Sequence, residues 1–414
     1  MLTNSKQDRF RKVFLVFLAA LIVRLLACFI YHQGGYFWQD TANYVRHWFT
    51  HFYDNGILNA YGNNSMEGFT RLDYPPLYYL SMYAFVGRPF VEVYKAGQIQ
   101  DVFLSFFPVT IDAIFVAFLY AAFGKMSALV WMFYPAALLN VSDMAQSDAA
   151  FCFLIVLFFL SYVKDKPFWL TSVIFALLCL TKLQGCYFLP IYLYMMFTSV
   201  AKWDKRIQGL ICGGCVGLAG WLPFMNVERD VFLPFRVYLG GLQKSNMYCY
   251  NAANFWYPLG GETYGIGGSV ISALLVVLCF AVFFYIARAT KDVVFASFVY
   301  FFSLFMITLQ QHDRYEMYSF TILLLACLFH SKYVNDKMML LSMAASSLSA
   351  HVGWLSFRLR FWLPGVMDPD IAEAVLATVG IILNILLIVE TARHFLKTQR
   401  SGSKPTETKN QIET

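Results

Sequence analysis

The stretch YFWQDTANYVRHWF, residues 36–49, sets the carboxylate of Asp40, the guanidinium of Arg46 and the imidazole of His47 among aromatic rings, just past a long apolar run. A carboxylate flanked by Phe37, Trp38 and Tyr44 is held partly dry, which raises its pKa and suits it to take a proton. The competing reading is a solvated surface group. QQHDRYEMY, residues 310–318, places His312, Asp313, Arg314 and Glu316 between two apolar runs. A guanidinium can fork onto a phosphate and an imidazole can donate to one; a polar turn capping two helices would look the same. Lys182 in TKLQG begins an apolar run, as a point charge for phosphate or as a snorkelling anchor. Asp148 in AQSDAAF opens another, where a helix dipole favours an anion and helix capping competes. His47 and His51 have the spacing of metal ligands on a helix, but no third ligand follows, so zinc is not expected. Arg24 and Asp112 lie within apolar runs and are expected to pair inside a bundle. Jointly these residues describe a site with a carboxylate, several cations and many aromatics, which suits a reaction between a phosphate-bearing lipid and a second substrate.

The elements that must position them are apolar helices. Of 414 residues, 59% are hydrophobic and 14% charged, with 42 Phe and 26 Tyr. A soluble domain of this length could not hide so much apolar surface. About 20 residues span roughly 30 Å of hydrocarbon, and such runs recur from Val13 almost to His394. The chain therefore reads as an all-α, polytopic membrane protein of about 11–13 spans, with the first apolar run retained as an anchor. The net charge of +6 comes from basic residues in short loops, as positive-inside orientation requires, and implies no nucleic-acid partner. Most of the nine cysteines sit in apolar runs (Cys28, Cys152, Cys179, Cys279, Cys327) and read as small packing residues. CGGC at 212–215, inside GLICGGCVGLAG, reads as close helix packing rather than redox or metal chemistry.

The basic clusters are Lys6–Lys12, Lys164/Lys166, Lys202/Lys205/Arg206, Arg288/Lys291 and Lys332/Lys337. Threading spans between them puts Asp40, SDMAQSD (142–148), TKLQG (181–185), residues 226–265 and QQHDRYE (310–316) on the opposite face. Residues 1–395 then form one integral-membrane domain. It has a first extracytoplasmic loop at 31–74, a large one at 226–265, and a disordered cytoplasmic tail at 396–414. In the first loop, Asp40–Asp54 has helical spacing with Tyr44, Trp48 and Phe52 on one stripe, expected to lie in the interface with aromatics toward lipid. The prolines of RLDYPPLYYL are expected to hold Asp73 and Tyr74 extended. Residues 74–100 break the parity if they cross once; a short re-entrant pair or an in-plane helix near Gly87–Gln100 restores it.

The order of QDTANYVRHW, LDYPPLYYL, YPAALLNVSDMAQSDAAF, TKLQGCYFLPIYL, YNAANFWYPLGG and HDRYEMYSF resembles the GT-C superfamily of polyprenyl-phosphate-sugar-dependent glycosyltransferases. The likeness is nearest to bacterial membrane proteins related to the GPI mannosyltransferase that adds the second mannose, and extends to the glucosyltransferases of N-glycan assembly. HDRY stands where that family commonly has His-Glu-Arg-Tyr. The resemblance implies that Asp40 is the general base, that His312, Arg314, Lys182 and Arg46 bind the donor phosphate, and that Asp73, Tyr74, Asp148, Gln184, Asn254, Trp256 and Asp313 support them. It implies a dolichyl- or undecaprenyl-phosphate sugar donor, transfer of a mannose- or glucose-type hexose with inversion, and a lipid-linked glycan or cell-envelope acceptor. No cofactor is called for, and a divalent metal has no support. The expected location is a bacterial plasma membrane with the site extracytoplasmic, or alternatively the endoplasmic reticulum with the site lumenal. A transporter or flippase for a polyprenyl lipid or small solute is the rival reading, and a membrane scaffold a third; polar groups gathered at one interface rather than the midplane argue against transport.

Overall fold

Pro, Gly and Asp mark many of the helix boundaries. Pro135 and Pro190 sit in the first turns of their helices, where a missing N–H costs nothing. Gly124, at φ +95°, ends one helix and starts the next. Asp292 caps another by accepting the Phe295 N–H at 2.9 Å, satisfying one of the four donors that a helix start leaves open. The computed structural model describes residues 2–31, 45–61, 74–85, 88–97, 101–243, 247–260, 262–362 and 368–402.

Within these residues the helices run in order: α1 (Leu2–Tyr31), α2 (Arg46–Asn55), α3 (Pro76–Phe85), α4 (Arg88–Lys95), α5 (Phe106–Phe123) and α6 (Lys125–Met132). Then come α7 (Pro135–Ser142), α8 (Asp148–Val163), α9 (Phe168–Thr181), α10 (Leu189–Thr198), α11 (Trp203–Glu228) and α12 (Leu233–Gln243). The last five are α13 (Ile266–Thr290), α14 (Val293–Ile307), α15 (Glu316–Leu328), α16 (Asp336–Trp362) and α17 (Pro369–Gly402). Two short strands, β1 (Cys249–Tyr250) and β2 (Gln311–His312), pair in parallel with Tyr250 opposite His312.

The protein is an all-α, polytopic helical membrane protein. Among the described residues six segments are long and apolar enough to cross a membrane: 6–31, 103–123, 203–228, 266–290, 336–355 and 369–400. α8, α9, α14 and α15 are equally apolar but have 16, 14, 15 and 13 residues, roughly 20–24 Å at 1.5 Å per residue. Polar turns cut them short of the roughly 30 Å hydrocarbon. The division has a packing counterpart. α14 and α15 are almost wholly buried, whereas α11 and α13 carry rows of exposed Leu, Ile and Val, the surface a lipid-facing helix presents. α9 lies against α11, where added Cβ atoms at Gly209, Gly213 and Gly220 would come within 2.8 Å of Phe168, Ser172 and Leu180. The glycines around CGGC thus let two backbones approach.

Three expectations change. α2 does not turn its aromatics to lipid: Trp48 and Phe52 are buried against Tyr78 and Tyr79 of α3, with Trp221 and Phe224 of α11 in the same core. The stripe is apolar because it faces protein, and α3 covers it. In residues 74–100, α3 and α4 have 10 and 8 residues, roughly 12–15 Å long, so neither is long enough to cross, and a re-entrant pair and an in-plane helix both match these lengths. α17 continues to Gly402, so the start of the expected tail at 396 is helical; residues 403–414 lie outside the described residues.

Candidate active site

α8 runs from Asp148 to the Lys164/Lys166 turn, and α9 returns from it to Lys182. α14 leaves the Arg288/Lys291 turn toward Thr308, and α15 returns from Glu316 toward Lys332. The basic turns therefore lie at one end of these four helices, and the polar motifs meet at the other. There the Asp148 carboxylate, fully buried, pairs with Lys182 and accepts a hydrogen bond from the Tyr318 hydroxyl. Asn140 Nδ2 donates to the same carboxylate at 2.9 Å, and Arg314 Nε stands 3.7 Å from it. Lys182 Nζ also donates to Tyr318 Oη at 3.1 Å. The lysine nitrogen lies 5.5–5.8 Å from the ring centres of Tyr74, Tyr315 and Tyr318, a cation–π setting. Burial pulls the Lys182 ammonium below its usual pKa, and Asp148 opposes that shift. One carboxylate thus sits between two buried cations in a tyrosine-lined niche.

Local chain geometry explains the placement. Lys182 is the extended residue ending α9, and the next six residues, 183–188, form a tight turn. Ala145, Asn251 and Gln310 adopt left-handed backbone (φ +49°, +55° and +61°), which L-residues rarely do outside helix ends. All three lie in the loops that converge here, as stored backbone strain commonly does at functional sites. HDRY is held by its strand: Asp313 N–H donates to Tyr250 O at 3.0 Å, and His312 stacks on Tyr250 with ring centres 4.3 Å apart. Arg314 Nη1 is 3.7 Å from Asp313.

Of the expected residues, Asp148, Lys182, Arg314, His312, Asp313 and Tyr74 come to this end, and the Tyr74 hydroxyl reaches Gln146 Oε1 at 3.4 Å. Gln184 lies in the adjoining turn. Arg46, at the start of α2, hydrogen-bonds Tyr94 of α4. Asn254 and Trp256 brace a loop instead: Asn254 Nδ2 donates to Phe305 O (3.0 Å) and Trp256 Nε1 to Ile307 O (2.7 Å), both at the end of α14. Asp40 and Asp73 lie outside the described residues. Sequence reasoning missed Asn140, Tyr318 and Asp143. Tyr318 stands in the first turn of α15, and nothing in its type or spacing pointed to the carboxylate that it bonds.

Asp143 forms a neighbouring polar group. It is buried, 3.5 Å from Arg358 of α16, whose guanidinium also reaches the Tyr31 carbonyl at the end of α1. Burial pushes its carboxyl up to about 7, with Arg358 pulling the other way. The Tyr31 hydroxyl meets His351 Nε2 at 3.1 Å. Neither the models of known protein families nor the sequences of curated proteins match this chain.

Proposed function

We propose that this protein is an integral-membrane glycosyltransferase that moves a mannose- or glucose-type hexose from a polyprenyl-phosphate sugar to a lipid-linked glycan or cell-envelope acceptor. The observation that carries the proposal is the convergence of Asp148, Lys182, Arg314 and Tyr318 from separate segments, up to 170 residues apart, at one end of an apolar bundle. A lipid phosphate arriving from the bilayer meets buried cations there without leaving the membrane surface.

Phosphate is a good leaving group and needs little protonation, whereas a glycosidase uses a second carboxyl because its leaving group is a poor alkoxide. One base and a set of cations therefore suffice. Asp40 takes the proton from the acceptor hydroxyl as that oxygen attacks the anomeric carbon. The C–O bond to phosphate breaks, and the sugar inverts. Arg314, His312 and Lys182 stabilise the charge growing on the departing phosphate. Asp148 holds the two cations in place, and Tyr318 fixes its oxygen. The site faces the outside of a bacterial plasma membrane in this reading.

The test uses the purified protein in detergent with a radiolabelled polyprenyl-phosphate sugar and an acceptor extract. Transfer or release of sugar is expected, and Asp40→Asn should lower turnover by about 10²–10⁴, the usual worth of a general base, with donor binding retained. Labelled lipid that crosses vesicle membranes with its sugar intact, and no transfer, would identify a flippase instead.

A further inference from the structure

Among the described residues five acidic side chains are buried: Asp112, Asp143, Asp148, Asp313 and Glu316. The first four each stand against a cation, respectively Arg24, Arg358, Lys182 and Arg314. Glu316 has none. It opens α15, fully buried, and its carboxyl has one hydrogen bond among the described residues: Asn384 Nδ2 of α17 donates to Oε2 at 3.4 Å. The same nitrogen donates to Ala253 O at 3.1 Å. A carbonyl can only accept, which fixes the orientation of the amide. Ala253 is also held through its N–H, which donates to Ser349 Oγ of α16 at 3.2 Å. One turn before Asn384, a Cβ at Gly380 would lie 2.8 Å from the Ala253 Cβ, so α17 packs closely on this loop. Glu316 Oε1 and Asn384 Oδ1, both acceptors, have no hydrogen-bond partner among the described residues.

We propose that Glu316 is a proton-binding site: it holds its carboxyl proton at neutral pH, and the neutral acid, with Asn384, latches residues 251–254 to α15 and α17. A carboxylate without a cation is costly to bury, and such a group takes up a proton instead. The proton also improves the match of donors to acceptors. The amide hydrogens of Asn384 serve Ala253 O and Glu316 Oε2, which leaves two acceptors over; protonation turns one carboxyl oxygen into a donor. The surrounding groups supply no counter-charge. Tyr134, ahead of α7, is the titratable side chain whose ionisation a charged Glu316 would oppose, and its hydroxyl donates to Ser346 Oγ at 2.6 Å. α15 packs against α8, α14 and α16. Asp148 of α8 is taken by Lys182, α14 carries only Tyr300 as a titratable side chain, and Arg358 and His351 of α16 are bonded to Asp143 and Tyr31. Glu373 and Glu390 of α17 meet Tyr257 and Lys337. Arg314, two residues away, stands against Asp148 and Asp313. The proposal does not depend on the transferase reading.

The full chain, purified in detergent at neutral pH, is compared with Glu316→Gln, which has the shape of the neutral acid and an N–H in place of its O–H. In infrared spectra the carbonyl band of a protonated carboxyl, present in wild type, is expected to be lost in Glu316→Gln. No difference in that band would overturn the proton. Glu316→Gln should keep the wild-type Tm and Glu316→Ala should lower it; a glutamine variant as unstable as the alanine variant would also overturn the proton. Backbone hydrogen exchange of the peptide spanning 249–257 should be about tenfold faster in Asn384→Ala than in wild type, as for the loss of one buried hydrogen bond. Unchanged exchange there would overturn the latch. A rise in Tm when sodium replaces choline, seen in wild type and absent from Glu316→Gln, would overturn the proton in favour of a bound cation.

Discussion

Two buried ion pairs in this bundle serve different ends. Arg24 of α1 and Asp112 of α5 meet at 2.5 Å with both side chains fully buried. The Arg24 Nη atoms donate to the carbonyls of Met132 and Trp131, and Trp131 Nε1 donates to the other Asp112 oxygen at 2.7 Å. Every nitrogen of the guanidinium and both carboxylate oxygens are bonded, within α1, α5 and α6. Asp148 differs. Its oxygens are shared among Lys182, Tyr318, Asn140 and the more distant Arg314, so one carboxylate answers two cations. The first pair is closed and staples helices. The second is a shared network: Asp148 stands against both Lys182 and Arg314, and Asp313 stands 3.7 Å from the same guanidinium. A buried ion pair is thus no sign of function until its bonding is counted.

Removing one partner of the closed pair should have the largest effect. Asp112→Ala leaves Arg24 buried and uncompensated, a loss of about 3–5 kcal/mol, seen as a lower Tm or failed expression. The double replacement Arg24→Met with Asp112→Leu should recover most of the stability, since apolar groups can replace such a pair, and should keep donor use. If the double variant folds but is inactive, the pair is not merely a staple.

In the second cluster the same logic should split stability from activity. Arg314→Ala is expected to cost about 2–4 kcal/mol in kcat/KM, with Arg314→Lys recovering only part because lysine cannot fork onto two oxygens. Asp148→Asn should lower transfer by a similar amount. Full activity in Arg314→Ala would reassign HDRY to helix capping.

Asp143 sharpens the contrast through pH. Its carboxyl is raised to about 7, so between about pH 4 and 7 the folded protein keeps a proton that the unfolded chain has lost. Where the folded state binds more protons, stability falls as pH rises. Thermal scans should therefore show a lower Tm at about pH 8 than at about pH 5, a difference on the order of 2 kcal/mol. Asp143→Asn should flatten that slope; an unchanged slope would assign it to another group.

The smallest effect concerns the seam that carries Lys182. A Cβ at Gly213 would meet Ser172 O at 2.8 Å, while Gly214 has open space. Gly214→Ala should be neutral or slightly stabilising, and the two alanine variants should differ by about 1–2 kcal/mol. Gly213→Ala should also reduce donor use, because α9 carries Lys182. Equal Tm values would mean that the seam yields without cost.

Much of this protein was legible in local pattern. Hydropathy alone required a helical membrane bundle, because so much apolar surface has no other place to go. The buried Arg24–Asp112 pair followed from the cost of placing either charge alone among apolar side chains. The parity of the basic loops put Asp148, Lys182 and Arg314 at one end, because each helix reverses the chain direction.

Other features depended on distance in space, which no local pattern carries. The Trp48–Phe52 stripe is equally apolar whether lipid or α3 covers it, and only packing distinguished the two. Asn254 and Trp256 look like site residues in their motif, yet they brace the end of α14 because their hydrogen-bond partners come from that helix. Tyr318 and Asn140 became visible only once the turns closed, since a shared carboxylate exists only where separate stretches of backbone meet.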